Sequence, residues 1–193
     1  NLSRVVVSGP AGSGKTMIAR WIASEYHRRG QRVLLLCYNR VLEAWLRDRE
    51  ESGSFSIRSF FSVCRERIIA AGQPFNIPQT PEAQNRFWMD EVPDRLFEIL
   101  VSAPNDEKFD IILVDEAQDF HEDWWMSVQL LLRDPDHGGL YLFRDSAQSG
   151  VYGHGRHYPA GGVYDVELAE NCRNTKLINH YCGNVIGQMI GSP

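Results

Sequence analysis

Short apolar runs alternate with segments of helical spacing along most of this 193-residue chain. Two runs, RVLLLCY at 32–38 and FDIILVD at 109–115, are nearly all apolar, which is typical of strands buried on both faces of a parallel sheet. Between such runs, apolar residues recur three and four positions apart, as they do on one face of a helix. This alternation predicts an α/β domain with a mostly parallel β-sheet flanked by helices.

The predicted elements follow one another closely. Strands are expected at 5–7, 32–38, 55–57, 109–115, 140–143 and 163–168, and helices at 15–29, 39–50, 60–71, 123–132 and 175–190. Ser59 is the predicted N-cap of the third helix. Helical spacing predicts that the first two helices turn apolar side chains toward the core: Ile18, Trp21, Ile22, Tyr26, Val41, Leu42, Trp45 and Leu46.

The segment 72–108 interrupts the alternation, because five prolines punctuate it. It contains one helical stretch that begins at Glu82 and another at 93–101. We expect a small helical and irregular insertion that is more exposed than its flanks. The segment is too short for an independent unit with its own large core, so we expect it to pack on the sheet domain.

The first strand runs directly into a glycine-rich segment, GPAGSGKT. This segment fits the phosphate-binding pattern G-x-x-x-x-G-K-[ST] in the strand-then-helix context that the pattern requires. Lys15 would reach the β- and γ-phosphates of a nucleotide and the Thr16 hydroxyl would ligate Mg²⁺, whereas Lys15 would be solvated without nucleotide. The alternative is a turn that merely joins a strand to a helix; chance gives this pattern in about one chain of this length in a hundred. The predicted phosphate site comprises Gly9, Pro10, Ala11, Gly12, Ser13, Gly14, Lys15 and Thr16.

Two acidic residues, Asp115 and Glu116, follow the second buried run. In parallel sheets, ligands bind at the carboxyl ends of strands. Asp115 is therefore expected to hold Mg²⁺ and Glu116 to orient or deprotonate an attacking water. The alternative, two solvated acids that end a strand, is weaker beside a phosphate-binding loop.

The charge and the cysteine content limit the classes of binding partner and the cellular compartments that we expect. The formal net charge is -5, so any nucleic-acid binding needs a local positive channel rather than a basic chain. The four cysteines show no C-x-x-C pairing, which favours buried free thiols in a reducing, cytoplasmic setting. No apolar run reaches the length needed to span a membrane, and we expect no membrane partner. The chain begins at Asn1 with almost nothing before its first strand, and we expect it to be a piece of a longer protein.

Several segments together resemble one family. Residues 115–119, DEAQD, resemble motif II of superfamily 1 helicases of the UvrD/Rep type. Gln118 argues against kinases and GTPases, and the chain has no guanine-reading N-K-x-D. Four further segments resemble other family motifs in the family's order: 32–46 (motif Ia), 58–64 (RSFFSVC, the strand-contacting segment), 143–152 (FRDSAQSGVY, motif III) and 168–175 (LAENCRNT, motif IV).

The resemblance implies a RecA-like P-loop NTPase domain at 1–170 and the start of a second helicase domain, or a linker to it, at 171–193. ATP and Mg²⁺ are the implied cofactors. Single-stranded nucleic acid is the implied partner, with DNA favoured over RNA. The family pattern assigns four catalytic roles: to Lys15, to Glu116, to Gln148 as a γ-phosphate sensor, and to Arg173 as a cation on the transferring phosphoryl group. The implied nucleic-acid contacts are Asn39, Arg40, Ser59, Phe60, Tyr152 and His154.

The chain also departs from the family pattern. Arg144 replaces the motif III glycine, Gly150 is an insertion, and Cys172 replaces a tyrosine that stacks on adenine in the family. The implied function is a helicase or translocase motor domain that hydrolyses ATP with Mg²⁺. An ATP-dependent regulatory switch without unwinding is the alternative. Because motifs V and VI are absent, we expect the isolated chain to hydrolyse ATP very slowly or not at all.

Overall fold

A computed structural model describes residues 4–50, 54–145 and 164–168. Within these residues the strands are β1 (Arg4–Gly9), β2 (Val33–Cys37), β3 (Ser56–Ser59), β4 (Ile111–Val114), β5 (Gly139–Asp145) and β6 (Tyr164–Glu167). The helices are α1 (Lys15–Arg28), α2 (Arg40–Asp48), α3 (Phe60–Ala70), α4 (Pro81–Arg86), α5 (Val92–Val101) and α6 (Trp124–Leu130). The predicted helix at 175–190 lies outside the described residues.

The described strands form one parallel sheet in the order β3-β2-β4-β5-β1-β6. Helices flank the sheet, and the fold is that of a RecA-like P-loop NTPase, which confirms the predicted fold class. All carboxyl ends lie at one edge because every pairing is parallel. The strand β5 lies between β1, which leads into the phosphate-binding loop, and β4, which leads into Asp115. The two predicted halves of the site are therefore one strand apart.

The sheet carries a hydrophobic cluster on each face. Leu35 of β2 packs with α1 and α2 on one face, whereas Leu34 and Leu36 pack with α3, α5 and α6 on the other. All five residues of β2 are buried. This two-sided burial explains why the strand reads as a continuous apolar run.

The segment 72–108 differs from the sequence expectation in one respect. Its first part is exposed, as expected, and α4 has no buried residue. A π-helical turn, Phe87–Glu91, then leads into α5, whose residues Val92, Leu96 and Leu100 are fully buried against α3 and α6. The expectation of an exposed excursion is wrong for α5. That expectation rested on the prolines of the segment, which include Pro93. This proline lies in the first turn of α5, directly after the π-helical turn, where its missing N–H can be accommodated.

Three side chains predicted to face the core are exposed instead. Trp21 is 66% exposed, Val41 81% and Trp45 46%. The residues of α1 that are buried against the sheet are small, Ala19 and Ala23, so this helix can approach the strands closely. On α2 the buried residues are Leu46 and a carboxylate, Glu43, which the apolar pattern did not indicate.

Two of the four cysteines lie within the described residues. Cys37 and Cys64 are buried free thiols. Within the described ranges, no helix combines the length and apolar character that crossing a membrane requires.

Candidate functional site

The phosphate-binding loop connects β1 to α1 at the carboxyl edge of the sheet. Gly12 and Gly14 have φ values of 84° and 90°, a left-handed backbone region that favours glycine. Gly9 is restricted by space: a Cβ there would lie 2.7 Å from Ser13 Oγ and 2.9 Å from Leu168 Cβ. The loop shape therefore depends on the glycines that the sequence pattern specifies.

Lys15 folds back onto its own loop. Its Nζ donates to the carbonyl oxygens of Gly9 at 2.8 Å and Pro10 at 2.9 Å, and the residue is only 6% exposed. The expectation that Lys15 is solvated without nucleotide is wrong, because the side chain is buried and these two carbonyls take up two of its three N–H donors. Ser13 Oγ is buried and has no hydrogen-bond partner among the described residues. An ammonium group and an unpaired hydroxyl beside the amino end of α1 fit a bound phosphate.

Thr16 and Asp115 meet across the gap between the loop and β4. The Thr16 hydroxyl donates to Asp115 Oδ2 at 2.8 Å. Asp115 is fully buried, and its pKa is raised to about 6, mainly because burial disfavours the charged carboxylate; the Thr16 hydroxyl opposes the shift and the nearby Glu116 carboxylate adds to it. A buried carboxylate and a hydroxyl are the hard oxygen ligands that Mg²⁺ prefers. These two residues fit the predicted metal position.

Glu116 lies at the start of a tight turn. It is the non-glycine residue with positive φ, 54°, in the described part of the chain, a conformation that costs energy and is found at functional sites. Gln118 Nε2 donates to Glu116 Oε2 at 2.6 Å, and Gln118 Oε1 accepts the backbone N–H of Asp145 at 3.0 Å. Glu116 is thus held by a neighbour on its own turn.

A cavity of about 590 Å³ opens beside these groups. Its lining includes Glu116, Asp145 and five loop residues: Ala11, Gly12, Gly14, Lys15 and Thr16. Met17 and Arg20 of α1, and Leu42 and Trp45 of α2, complete the lining. The volume is in the range of small-molecule sites, so a nucleotide fits next to the loop.

The family model for the AAA domain matches residues 1–154. The chain belongs to the AAA domain family. A comparison with curated proteins found no match. One similar solved structure is that of unliganded Pif1 from Bacteroides sp., with 15% sequence identity and a TM-score of 0.47. The similarity covers 95% of this chain and 41% of that one, so the chain spans well under half of its length.

Four of the predicted site residues of this AAA domain fall together at the carboxyl edge: Lys15, Thr16, Asp115 and Glu116. Four others lie outside the described residues: Gln148, Tyr152, His154 and Arg173. Arg144, which replaces the motif III glycine, is accommodated on β5, where its Nε donates to Ser8 Oγ of β1 at 2.8 Å.

The structure argues against two of the predicted nucleic-acid contacts. Ser59 and Phe60 are both fully buried. Ser59 caps α3 and donates to Glu43, and the Phe60 ring stacks on Trp124 with centroids 4.6 Å apart. Neither side chain is available to a nucleic-acid strand in this structure. Asn39 and Arg40 are exposed at the amino end of α2, where Asn39 Oδ1 caps the helix by accepting the Leu42 N–H.

Sequence reasoning missed three groups of the site. Gln118 was used only to exclude other nucleotide-binding families, and Asp145 was included only as part of the motif III segment. Trp45 was assigned to the core, yet it lines the cavity. The sequence of α2 contains more apolar residues than one buried face can hold. This excess could have indicated that Trp45 is exposed.

Proposed function

We propose that this AAA domain is the ATP-hydrolysing motor domain of a superfamily 1 helicase or translocase of the UvrD/Rep type. The observation that carries the proposal is the meeting of Lys15, Thr16, Asp115 and Glu116 at one sheet edge beside a nucleotide-sized cavity. The motif order described above supports the choice of family.

Each of these residues has a distinct proposed role. Lys15 would exchange its two carbonyl partners for β- and γ-phosphate oxygens when ATP enters. Thr16 and Asp115 would hold Mg²⁺, which supplies charge neutralisation on the phosphates. Glu116, half-buried at the cavity lining, would orient the attacking water and accept its proton.

Nucleic acid is the proposed second ligand, with single-stranded DNA favoured over RNA. Arg40 places an exposed cation at the carboxyl edge of β2, and the preceding Tyr38 and the nearby Phe61 are half-buried rings with centroids 6.3 Å apart. A cation for the backbone beside partly exposed rings for the bases suits a single strand. Tyr152 and His154 remain proposed contacts from outside the described residues.

We further propose that 1–170 is a RecA-like domain, that 72–108 is an elaboration of it, and that 171–193 leads into a second domain. That second domain would supply the opposite wall of the ATP site. Gln148, in the first domain, would sense the γ-phosphate, and Arg173, where the second domain begins, would stabilise charge on the transferring phosphoryl group. An arginine in that role contributes about 10³ to 10⁵ in rate. In the 193-residue chain by itself, Arg173 would lack the domain that holds it in place. We therefore expect measurable ATP binding but very slow hydrolysis.

A steady-state ATPase assay with and without single-stranded DNA or RNA tests this proposal. We expect Mg²⁺-dependent hydrolysis well below about 1 s⁻¹, the low end of ordinary enzyme rates, and little stimulation by single strands. Hydrolysis above that rate would mean that the chain completes its own site. In the full-length protein, strong stimulation by single strands supports a motor, whereas none supports a regulatory switch.

A further inference from the structure

Gln118 joins two elements of the candidate site. Its amide nitrogen donates to Glu116 Oε2 at 2.6 Å, and its amide oxygen accepts from the backbone N–H of Asp145 at 3.0 Å. Glu116 follows β4, and Asp145 is the last residue of β5. Gln118 therefore ties the turn after one strand to the end of the neighbouring strand.

The chemistry of its partners fixes the orientation of the Gln118 amide. An ionised carboxylate can only accept a hydrogen bond, and a backbone N–H can only donate one. A flipped amide would oppose its oxygen to the Glu116 carboxylate and its NH₂ to the Asp145 N–H. Since Gln118 is only 9% exposed, water cannot readily replace either partner.

Glu116 needs such support because its backbone is unusual. Its φ of 54° and ψ of 47° lie in the left-handed region, and the turn is closed by a bond from the Asp119 N–H to the Glu116 carbonyl at 2.9 Å. Gln118 takes up one carboxylate oxygen, Oε2. The other oxygen, Oε1, is left to act on water at the cavity that Glu116 and Asp145 both line.

We infer that Gln118 is a positioning residue, which fixes the Glu116 carboxylate for water activation and makes its orientation depend on the end of β5. The inference rests on the proposed function. It goes beyond that function by assigning the control of the base to a glutamine and to the strand between the two halves of the site. Gln118 does not touch the substrate; it acts through Glu116.

Two substitutions separate this role from a merely structural one. Gln118→Leu removes both hydrogen bonds. Gln118→Glu keeps an acceptor for the Asp145 N–H but replaces the donor to Glu116 with a second carboxylate. If Gln118 only braced β5, Gln118→Glu would behave like wild type. Gln129→Leu, a substitution of a half-buried glutamine on α6, is the matched control.

The experiment is single-turnover hydrolysis of Mg²⁺-ATP with protein in excess, alongside titration with a slowly hydrolysed ATP analogue. Misplacing a catalytic group by about 1 Å can cost about 100-fold in rate. We expect Gln118→Leu and Gln118→Glu each to slow hydrolysis by about 10- to 100-fold, with analogue affinity within about threefold of wild type and Gln129→Leu unchanged. In a Glu116→Gln background, Gln118→Leu should slow hydrolysis no further.

The outcomes separate the inference from the proposed function. If wild type neither binds nor hydrolyses ATP, the proposed function fails and the inference fails with it. If wild type is active and Gln118→Glu hydrolyses at the wild-type rate, the inference alone is overturned. A further loss for Gln118→Leu in the Glu116→Gln background also overturns it, because Gln118 would then act independently of Glu116. Thermal unfolding checks each variant, and Gln118→Glu decides the matter if Gln118→Leu does not fold.

Discussion

Asp115 and Glu43 are both buried carboxylates of this domain, but their surroundings differ. Glu43 Oε2 accepts three hydrogen bonds from α3 and its cap, from Ser62 Oγ at 2.6 Å, Ser59 Oγ at 2.8 Å and the Ser59 N–H at 2.9 Å. Asp115 accepts the Thr16 hydroxyl and the N–H of the adjacent Glu116, and a second carboxylate lies beside it.

The two pKa values shift in opposite directions. Burial alone would raise the pKa of Glu43, but the hydrogen bonds from Ser62 and Ser59 outweigh it and lower the pKa below its ordinary value. Burial dominates at Asp115 and raises its pKa to about 6. Glu43 is thus a satisfied structural anion, whereas Asp115 is an anion with too few partners. A cation is what Asp115 needs, which suits a metal ligand.

The largest stability effect should come from Glu43. Glu43→Ala leaves the buried Ser59 donors and the half-buried Ser62 hydroxyl without their acceptor, which should lower the free energy of unfolding by about 3 kcal/mol. Urea denaturation at pH 7 measures it. The matched control is Glu66→Gln, because Glu66 is 56% exposed and pairs with Arg58 at 2.8 Å, a surface pair of little value. A loss as small as that of Glu66→Gln would mean that the Glu43 network does not stabilise the fold.

Asp115→Asn should instead raise the free energy of unfolding. It removes a buried charge and keeps an acceptor for Thr16. The unfolding free energy of the nucleotide-free protein should therefore rise by about 1 to 3 kcal/mol at pH 8, where the raised pKa of Asp115 sets the upper end of this range. Urea denaturation in EDTA measures the gain, and Glu43→Gln, which should lose stability, is its counterpart. Mg²⁺-dependent strengthening of nucleotide binding should disappear. A less stable Asp115→Asn protein would show that Asp115 is as well satisfied as Glu43.

A smaller effect should appear on acidification. Because the folded-state pKa of Glu43 is lowered, its stabilising contribution is complete above the ordinary glutamate pKa and is lost as pH falls through the folded value. The difference in unfolding free energy between wild type and Glu43→Gln should therefore shrink from pH 6 to pH 3. Denaturation series of both proteins across this range measure the difference, and a widening gap at low pH would contradict the assignment.

The features predicted correctly are those encoded locally. The glycine spacing of the phosphate-binding loop and the continuous apolar run of β2 are both readable within a few residues. Ser59 was predicted as an N-cap from its own neighbourhood, and it is one. The position of Asp115 and Glu116 at the carboxyl edge followed from their place after a buried strand, and their roles in the site stay predictions.

The features missed depend on contacts between distant segments. The family resemblance assigned Ser59 to nucleic acid, and no local pattern shows that its hydroxyl instead donates to Glu43, which lies 16 residues away on another helix. The hydrogen bond from the Asp145 N–H to Gln118 joins residues 27 positions apart, and no local sequence pattern predicts it. Lys15 was expected in solvent because the sequence does not show that the loop turns two carbonyl oxygens toward its Nζ.

Calorimetric titration with a slowly hydrolysed ATP analogue and Mg²⁺ tests most directly that the carboxyl edge binds nucleotide. Lys15→Ala removes a charge-assisted contact to phosphate and should weaken binding by roughly 10- to 100-fold. Lys108→Ala is the matched control, because Lys108 is also buried but precedes the amino end of β4, away from the site. The account predicts wild-type affinity for Lys108→Ala and a large loss for Lys15→Ala. Equal affinities for all three proteins would contradict it.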